Sequence, residues 1–148
     1  MSILIIDDFQ EERDLLFTIL HSAGFGPLLS VGTAREGLQL LGVGKRGKQT
    51  SGIDLVLMDI EMPEIDGLEA CQRIRMEDQL QNLPIIVITA HTEAKDIQAA
   101  YTCGATDYIR KPVIPAELIA RAANALSLKQ EIDARKLREQ ELLERTKE

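Results

Sequence analysis

Four aliphatic runs in this chain lead into residue types that phosphate chemistry uses. Ser2–Ile6 runs into Asp7 and Asp8, and Ile53–Met58 runs into Asp59. Leu83–Ile88 runs into Thr89, and Ala105–Ile109 is followed by Lys111 and Pro112. Carboxylates gathered in one crevice repel each other unless a proton or a cation intervenes. Hard divalent ions take oxygen ligands, and Mg²⁺ characteristically uses one or two carboxylates with waters and a phosphate oxygen. A transferring phosphoryl group spreads its charge over the equatorial oxygens, so its catalysis is mostly positioning and electrostatics. The Thr89 hydroxyl can donate to one such oxygen, the Lys111 ammonium can neutralise another, and Mg²⁺ can take the third. Asp59 is then the nucleophile that forms an aspartyl phosphate. Taken singly, each acid has a plainer explanation: Asp7 caps a helix and Asp59 begins a loop. Five such residues at four run ends point to chemistry.

For these side chains to meet, the runs must be neighbouring strands. Aliphatic, largely β-branched runs bounded by turn signals read as buried parallel strands. Helical patterns lie between them. Phe9–Ala23 carries Leu15, Leu16, Ile19 and Leu20 and stops at Gly24; Thr33 caps a helix through Leu41. Gly67–Asp78 and Glu93–Thr102 follow, and Pro115 opens the last helix. A further short strand, Pro27–Val31, starts with proline and so belongs at a sheet edge. Five β-α alternations imply an α/β fold, a flavodoxin-like three-layer sandwich with a parallel sheet in the order 2-1-3-4-5. Crossovers are right-handed. That order sets strands one, three, four and five side by side, and these are the strands with polar ends. Ligands of open α/β sheets bind at the carboxyl rim.

The 148 residues suit one ordinary domain with a real core, and 45% hydrophobic with 28% charged residues is a globular composition. A net charge of −7 argues against direct nucleic-acid binding, and 3% aromatics leave no stacking platform for single strands. No apolar stretch approaches membrane-spanning length, and the N-terminus lacks the basic region of a signal peptide. Cys71 and Cys103 have no CxxC spacing, so we read them as buried thiols in a reducing cytoplasm. Two histidines, His21 and His91, offer too little for a zinc site.

With its Asp7-Asp8 pair, Asp59 followed by MPEIDG, Thr89-Ala90 and Lys111-Pro112, the chain resembles the CheY-like receiver domains of two-component response regulators. The resemblance covers about Ser2 to Leu128. It implies that Asp59 accepts a phosphoryl group from a sensor histidine kinase or a phosphotransfer protein. It also implies that Asp7, Asp8, Asp59 and the Glu61 backbone carbonyl hold Mg²⁺, and that Thr89 and Lys111 bind phosphoryl oxygens. The Lys111–Pro112 bond is expected to be cis. Tyr108 matches the switch aromatic that follows the threonine inward, reshaping the face of the fourth helix, fifth strand and fifth helix. Its plainer reading is a half-buried strand tyrosine. Glu61 and His91 flank the open side of the site, and a solvated loop position accounts for His91.

Other motifs fail on context. Gly42, Gly44 and Gly47 match GxGxxG, and Gly42…Gly47-Lys48 approaches a P-loop. Both motifs must follow a strand and open a helix, whereas this stretch does the reverse. Asp59-Ile60-Glu61 starts like a calcium loop, but Pro63 and Glu64 break it. A haloacid-dehalogenase-like phosphatase also phosphorylates an Asp at a strand end, yet it usually carries a second Asp two residues on, where this chain has Glu61. It also needs a substrate cap. A receiver-like docking domain would usually lack an acceptor or metal acid, and here all are present.

We therefore expect a receiver domain over residues 1–128 and a charged helical extension over 129–148. The last helix continues to about Lys147. Leu118, Ala125, Leu128, Ile132 and Leu142 form a seam that Arg121, Arg135 and Glu139 interrupt. The extension is expected to lead toward a partner or a linked effector. A homodimer through the fourth helix, fifth strand, fifth helix face and the C-terminal helix is a further expectation.

Overall fold

Continuous aliphatic runs cannot face water on either side, so they form the middle layer. In the computed structural model, which describes residues 1–45, 52–91 and 93–147, five parallel strands pair in the order 2-1-3-4-5. The elements are β1 (Ser2–Ile6), α1 (Gln10–Ser22), β2 (Leu28–Val31), α2 (Ala34–Leu41) and β3 (Ile53–Asp59). After them come α3 (Gly67–Arg75), β4 (Ile85–Thr89), α4 (Ala94–Thr102), β5 (Asp107–Arg110) and α5 (Pro115–Lys147).

Strand alternation splits the core in two. Ile3, Ile5, Leu55, Leu57, Ile86, Ile88 and Ile109 meet α1 through Leu16 and Leu20, and α5 through Leu118, Ala122 and Leu126. Leu4, Ile6, Val56, Met58, Ile85 and Val87 face the other way, onto α2, α3 and Ala100 of α4. This is the expected three-layer α/β sandwich.

Side-chain caps set helix entries. Thr33 Oγ1 accepts from Glu36 N at 3.1 Å and Asp66 Oδ1 from Glu69 N at 2.8 Å. At the end of α2, Gly42 adopts φ 78°, a left-handed conformation suited to glycine.

Several boundaries differ from the sequence expectation. α3 stops at Arg75, not Asp78, and a short 3-10 turn spans Asp78–Leu80. At that end the Arg75 guanidinium bonds the carbonyl of Leu80 (2.8 Å) across the turn and that of Gly104 (2.9 Å) in the loop before β5. Pro84 has no N–H for a ladder, so β4 begins at Ile85 rather than Leu83, while Pro84 O still accepts from Val56 N. β5 begins at Asp107 instead of Ala105. β2 starts at Leu28, just after a cis Gly26–Pro27 bond. Residues 46–51 of the glycine-rich Gly42–Gly52 connection, with Gly47 and Lys48 of the rejected motifs, lie outside the described residues.

α5 is one 33-residue helix. Leu118 and Ala122 are buried, whereas Leu137, Leu142 and Leu143 are about 60% exposed, so its C-terminal half leaves the body of the fold. Among the described residues Lys129 is the last cation of α5 paired with the sheet, 3.9 Å from Asp54 of β3.

Candidate phosphoacceptor site

Asp59 is the last residue of β3 and Thr89 the last of β4; Asp7 follows β1 and Lys111 follows β5. Strand register therefore delivers these four side chains to one rim. Asp7, Asp59 and Thr89 are the three polar residues buried among the described residues, at 1%, 5% and 0% exposure. Lys111 is seated by its own backbone N–H, which bonds Thr89 O at 2.9 Å, and the Lys111–Pro112 bond is cis.

The acids are not mere caps. The residue before α1 is Phe9, which has no side-chain cap bond, and Asp7 Oδ1 instead accepts from Phe9 N at 3.0 Å in the preceding turn. Asp59 Oδ1 accepts from Glu61 N at 3.2 Å, leaving Oδ2 for Lys111 Nζ at 3.1 Å. Lys111 Nζ also lies 3.5 Å from Asp7 Oδ2 and 2.5 Å from Glu12 Oε2. One carboxylate oxygen from each of Asp7, Glu12 and Asp59 falls within 4.8 Å of the others.

Glu12 is the member that the motif reading missed. It sits in the first turn of α1, where an acid already has a reason to be. A signal was available, because Glu12, Leu16 and Leu20 recur every fourth residue, and Leu16 and Leu20 are core residues. Helical spacing thus turns Glu12 inward, toward the rim.

Asp8 is half-buried, and its Oδ1 is a buried oxygen with no hydrogen-bond partner among the described residues. Such an atom carries a desolvation cost unless something binds it. An all-oxygen donor set with one unsatisfied carboxylate oxygen fits a hard divalent cation. Asp8 also lines a cleft with Glu61, Met62, Pro63, Asp66 and His91. There the His91 ring pairs with the Glu61 carboxylate across the mouth, and the Tyr108 hydroxyl donates to His91 O. Thr89 Oγ1 accepts from His91 N at 3.1 Å, which leaves its hydroxyl hydrogen free to donate.

Charge crowding shows in the protonation equilibria. Burial raises the Asp7 carboxyl to about 7, with neighbouring acids adding to the rise and the Phe9 N–H and Lys111 opposing it. Burial also raises Asp59, against the lowering effect of Lys111. Lys111 itself is held cationic, since Glu12 and Asp59 outweigh the desolvation that disfavours its charge. A carboxyl raised in the folded state takes up more protons than in the unfolded chain between the two pKa values, so stability falls as pH rises through that window. The metal-free protein should thus lose stability between about pH 4 and 7. Asp7→Asn keeps the Phe9 bond and removes the charge. Thermal melts in a chelator should show it more stable than wild type by about 2 kcal/mol at pH 7.5, with the gap closing near pH 4. Parallel curves for the two proteins would show that Asp7 is not the strained acid.

The response regulator receiver domain family matches residues 3–123. Response regulator SaeR of Staphylococcus epidermidis is 34% identical over 125 residues, 84% of this chain and 50% of that protein. The cyclic di-GMP phosphodiesterase response regulator RpfG of Xanthomonas campestris pv. campestris is 34% identical over 138 residues, 93% of this chain and 35% of that protein. The chain thus spans half or less of the length of these curated relatives. A crystal structure of a response regulator receiver domain protein from Clostridium thermocellum superposes with a TM-score of 0.75 at 26% identity, covering 88% of this chain and 98% of that one.

Proposed function

Because the chain belongs to the response regulator receiver domain family, a family of signalling domains rather than turnover enzymes, we propose that Asp59 is its phosphoacceptor. The observation that carries this reading is Asp59 itself, a carboxylate 5% exposed at a strand end, with Lys111 Nζ 3.1 Å from its Oδ2. An Asp59 oxygen attacks the phosphorus of a phosphohistidine, the P–N bond breaks, and the imidazole leaves. The donor is a sensor histidine kinase or a phosphotransfer protein. Lys111 neutralises one oxygen of the transferring group, and the Thr89 hydroxyl donates to another. Asp7, Asp8, Asp59 and the Glu61 backbone carbonyl would hold Mg²⁺, which supplies charge neutralisation at the remaining oxygen.

The output follows from Thr89. If its hydroxyl turns to the phosphoryl group, it releases His91 N, and His91 O is the group that holds the Tyr108 hydroxyl. Thr89 and Tyr108 thereby couple the site to the face of α4, β5 and α5. That face, continued along α5 to Lys147, serves a second copy of the chain or a linked effector. The domain works in the cytoplasm and makes no direct contact with nucleic acid. No described helix is long and apolar enough to cross a membrane.

The phosphoryl analogue beryllofluoride tests the reading without a cognate kinase. With Mg²⁺ it should raise the melting temperature of wild type by several degrees and leave Asp59→Asn unmoved. Equal responses would refute the assignment of Asp59. Sustained hydrolysis of p-nitrophenyl phosphate would instead support a haloacid-dehalogenase-like phosphatase.

A further inference from the structure

An ammonium group has three donors and no acceptor. At Lys111 all three have a carboxylate to face: Glu12 Oε2 at 2.5 Å, Asp59 Oδ2 at 3.1 Å and Asp7 Oδ2 at 3.5 Å. Glu12 makes the shortest of these contacts, and it comes from α1 rather than from a strand end. Its side chain is about one-third exposed (38%), so the contact does not arise from burial forcing the groups together. Arg13, the next residue, donates to Asp7 O at 2.6 Å and anchors this turn of α1 to the rim. Among the described residues Lys111 is the one ammonium in this cluster, and a phosphoryl group arriving on Asp59 has to share it.

We propose that Glu12 is a positioning residue that draws Lys111 toward α1 and competes with the phosphoryl group for its charge, restraining the phosphorylated state. The inference rests on Asp59 being the acceptor. Phosphorylation replaces a singly charged carboxylate with a more strongly charged group, while Glu12 stays beside the same cation. A nearby carboxylate weakens such binding by like-charge repulsion and by partly neutralising the ammonium. One Glu12 oxygen also lies within 4.8 Å of oxygens of Asp7 and Asp59. Glu12 is assigned to the lysine, and Mg²⁺ affinity measured apart from analogue binding separates that role from metal ligation.

Glu12→Gln keeps the size of the side chain and an oxygen that can accept from Lys111, but removes the charge. Glu11→Gln changes the net charge and the first turn of α1 equally, at an exposed neighbour that makes none of the site contacts. With saturating Mg²⁺, beryllofluoride should half-saturate Glu12→Gln at a concentration roughly five- to tenfold lower than wild type, and Glu11→Gln at the wild-type value. Mg²⁺ affinity, measured separately, should change less than about twofold in either variant. Lysine-selective NMR should show the Lys111 ammonium signal displaced in Glu12→Gln alone. Unchanged or weaker analogue binding in Glu12→Gln overturns the proposal, as does an equal gain in Glu11→Gln. A several-fold loss of Mg²⁺ affinity overturns it too, by making Glu12 a metal ligand. Failure of wild type to bind beryllofluoride would refute the Asp59 reading and the proposal together.

Discussion

Replacing Lys111 with alanine is expected to slow phosphorylation of Asp59 on the order of 10²-fold, and to destabilise the metal-free protein by about 3 kcal/mol. Both effects have one cause. The ammonium lies among Asp7, Glu12 and Asp59, and two of these acids are almost fully buried. Without it, carboxylates within 4.8 Å of one another lose the cation that contacts all three, and protons must supply the neutralisation. The direction with pH follows: loss of Lys111 raises the folded-state pKa of its partners. The stability deficit should therefore be small near pH 4, where the acids are protonated, and grow toward pH 8. Mg²⁺ should restore much of the stability but little of the rate, because a cation on Asp7 and Asp8 does not replace the donor aimed at Asp59. Denaturation in chelator and in Mg²⁺, with phosphorylation by acetyl phosphate on the same samples, separates the two. A variant as stable as wild type in chelator at pH 8 would show that Lys111 does not hold the acids together.

Gly67→Ala should be the most damaging single-methyl change in the fold. A Cβ built there would lie 2.3 Å from Asp59 O and 2.8 Å from Ile60 Cα, and neither backbone atom can rotate aside. Gly67 N also bonds Ile60 O at 2.9 Å, so α3 begins directly against the strand end that carries Asp59. Relief of the clash must move either the start of α3 or Asp59 itself. We expect a loss of about 3 kcal/mol, read as a melting temperature some 10 °C lower, together with impaired phosphorylation. Gly37→Ala is the control. Its Cβ would come equally close, 2.3 Å, but to Ile6 Cδ1, the end of a flexible side chain, and alanine favours the helix there. It should cost under about 1 kcal/mol. Similar losses in both would show that the approach to Asp59 is not the cause.

Much of this site could be read in the sequence because its members stand at strand ends. The aliphatic runs identify the strands, parallel pairing aligns their carboxyl ends, and Asp7, Asp59, Thr89 and Lys111 fall on one rim whatever the loops do. Glu12 was missed for the opposite reason. An acid in a first helical turn is ordinary, and only its place on the Leu16 and Leu20 stripe separates it from exposed Glu11. Arg75 was missed likewise: its spacing fits a helix end, but its bonds run to Gly104 and Leu80, which periodicity does not relate. The starts of β2 and β4 drifted by one or two residues because Pro27 and Pro84 sit beside them and lack the N–H that would begin a ladder. The length of α5 was legible from its charge pattern, whereas the point where it leaves the body, just past half-buried Ile132, rests on contacts across the fold that a charge pattern does not show.

The central claim is that Asp59 takes the phosphoryl group in a metal-dependent reaction. Mass spectrometry of the intact protein after incubation with acetyl phosphate and Mg²⁺, followed by peptide mapping, tests it most directly. We predict one phosphoryl group per chain, located on Asp59, and none with chelator or in Asp59→Asn. Labelling at another residue, or labelling of Asp59 that is indifferent to Mg²⁺, would contradict it.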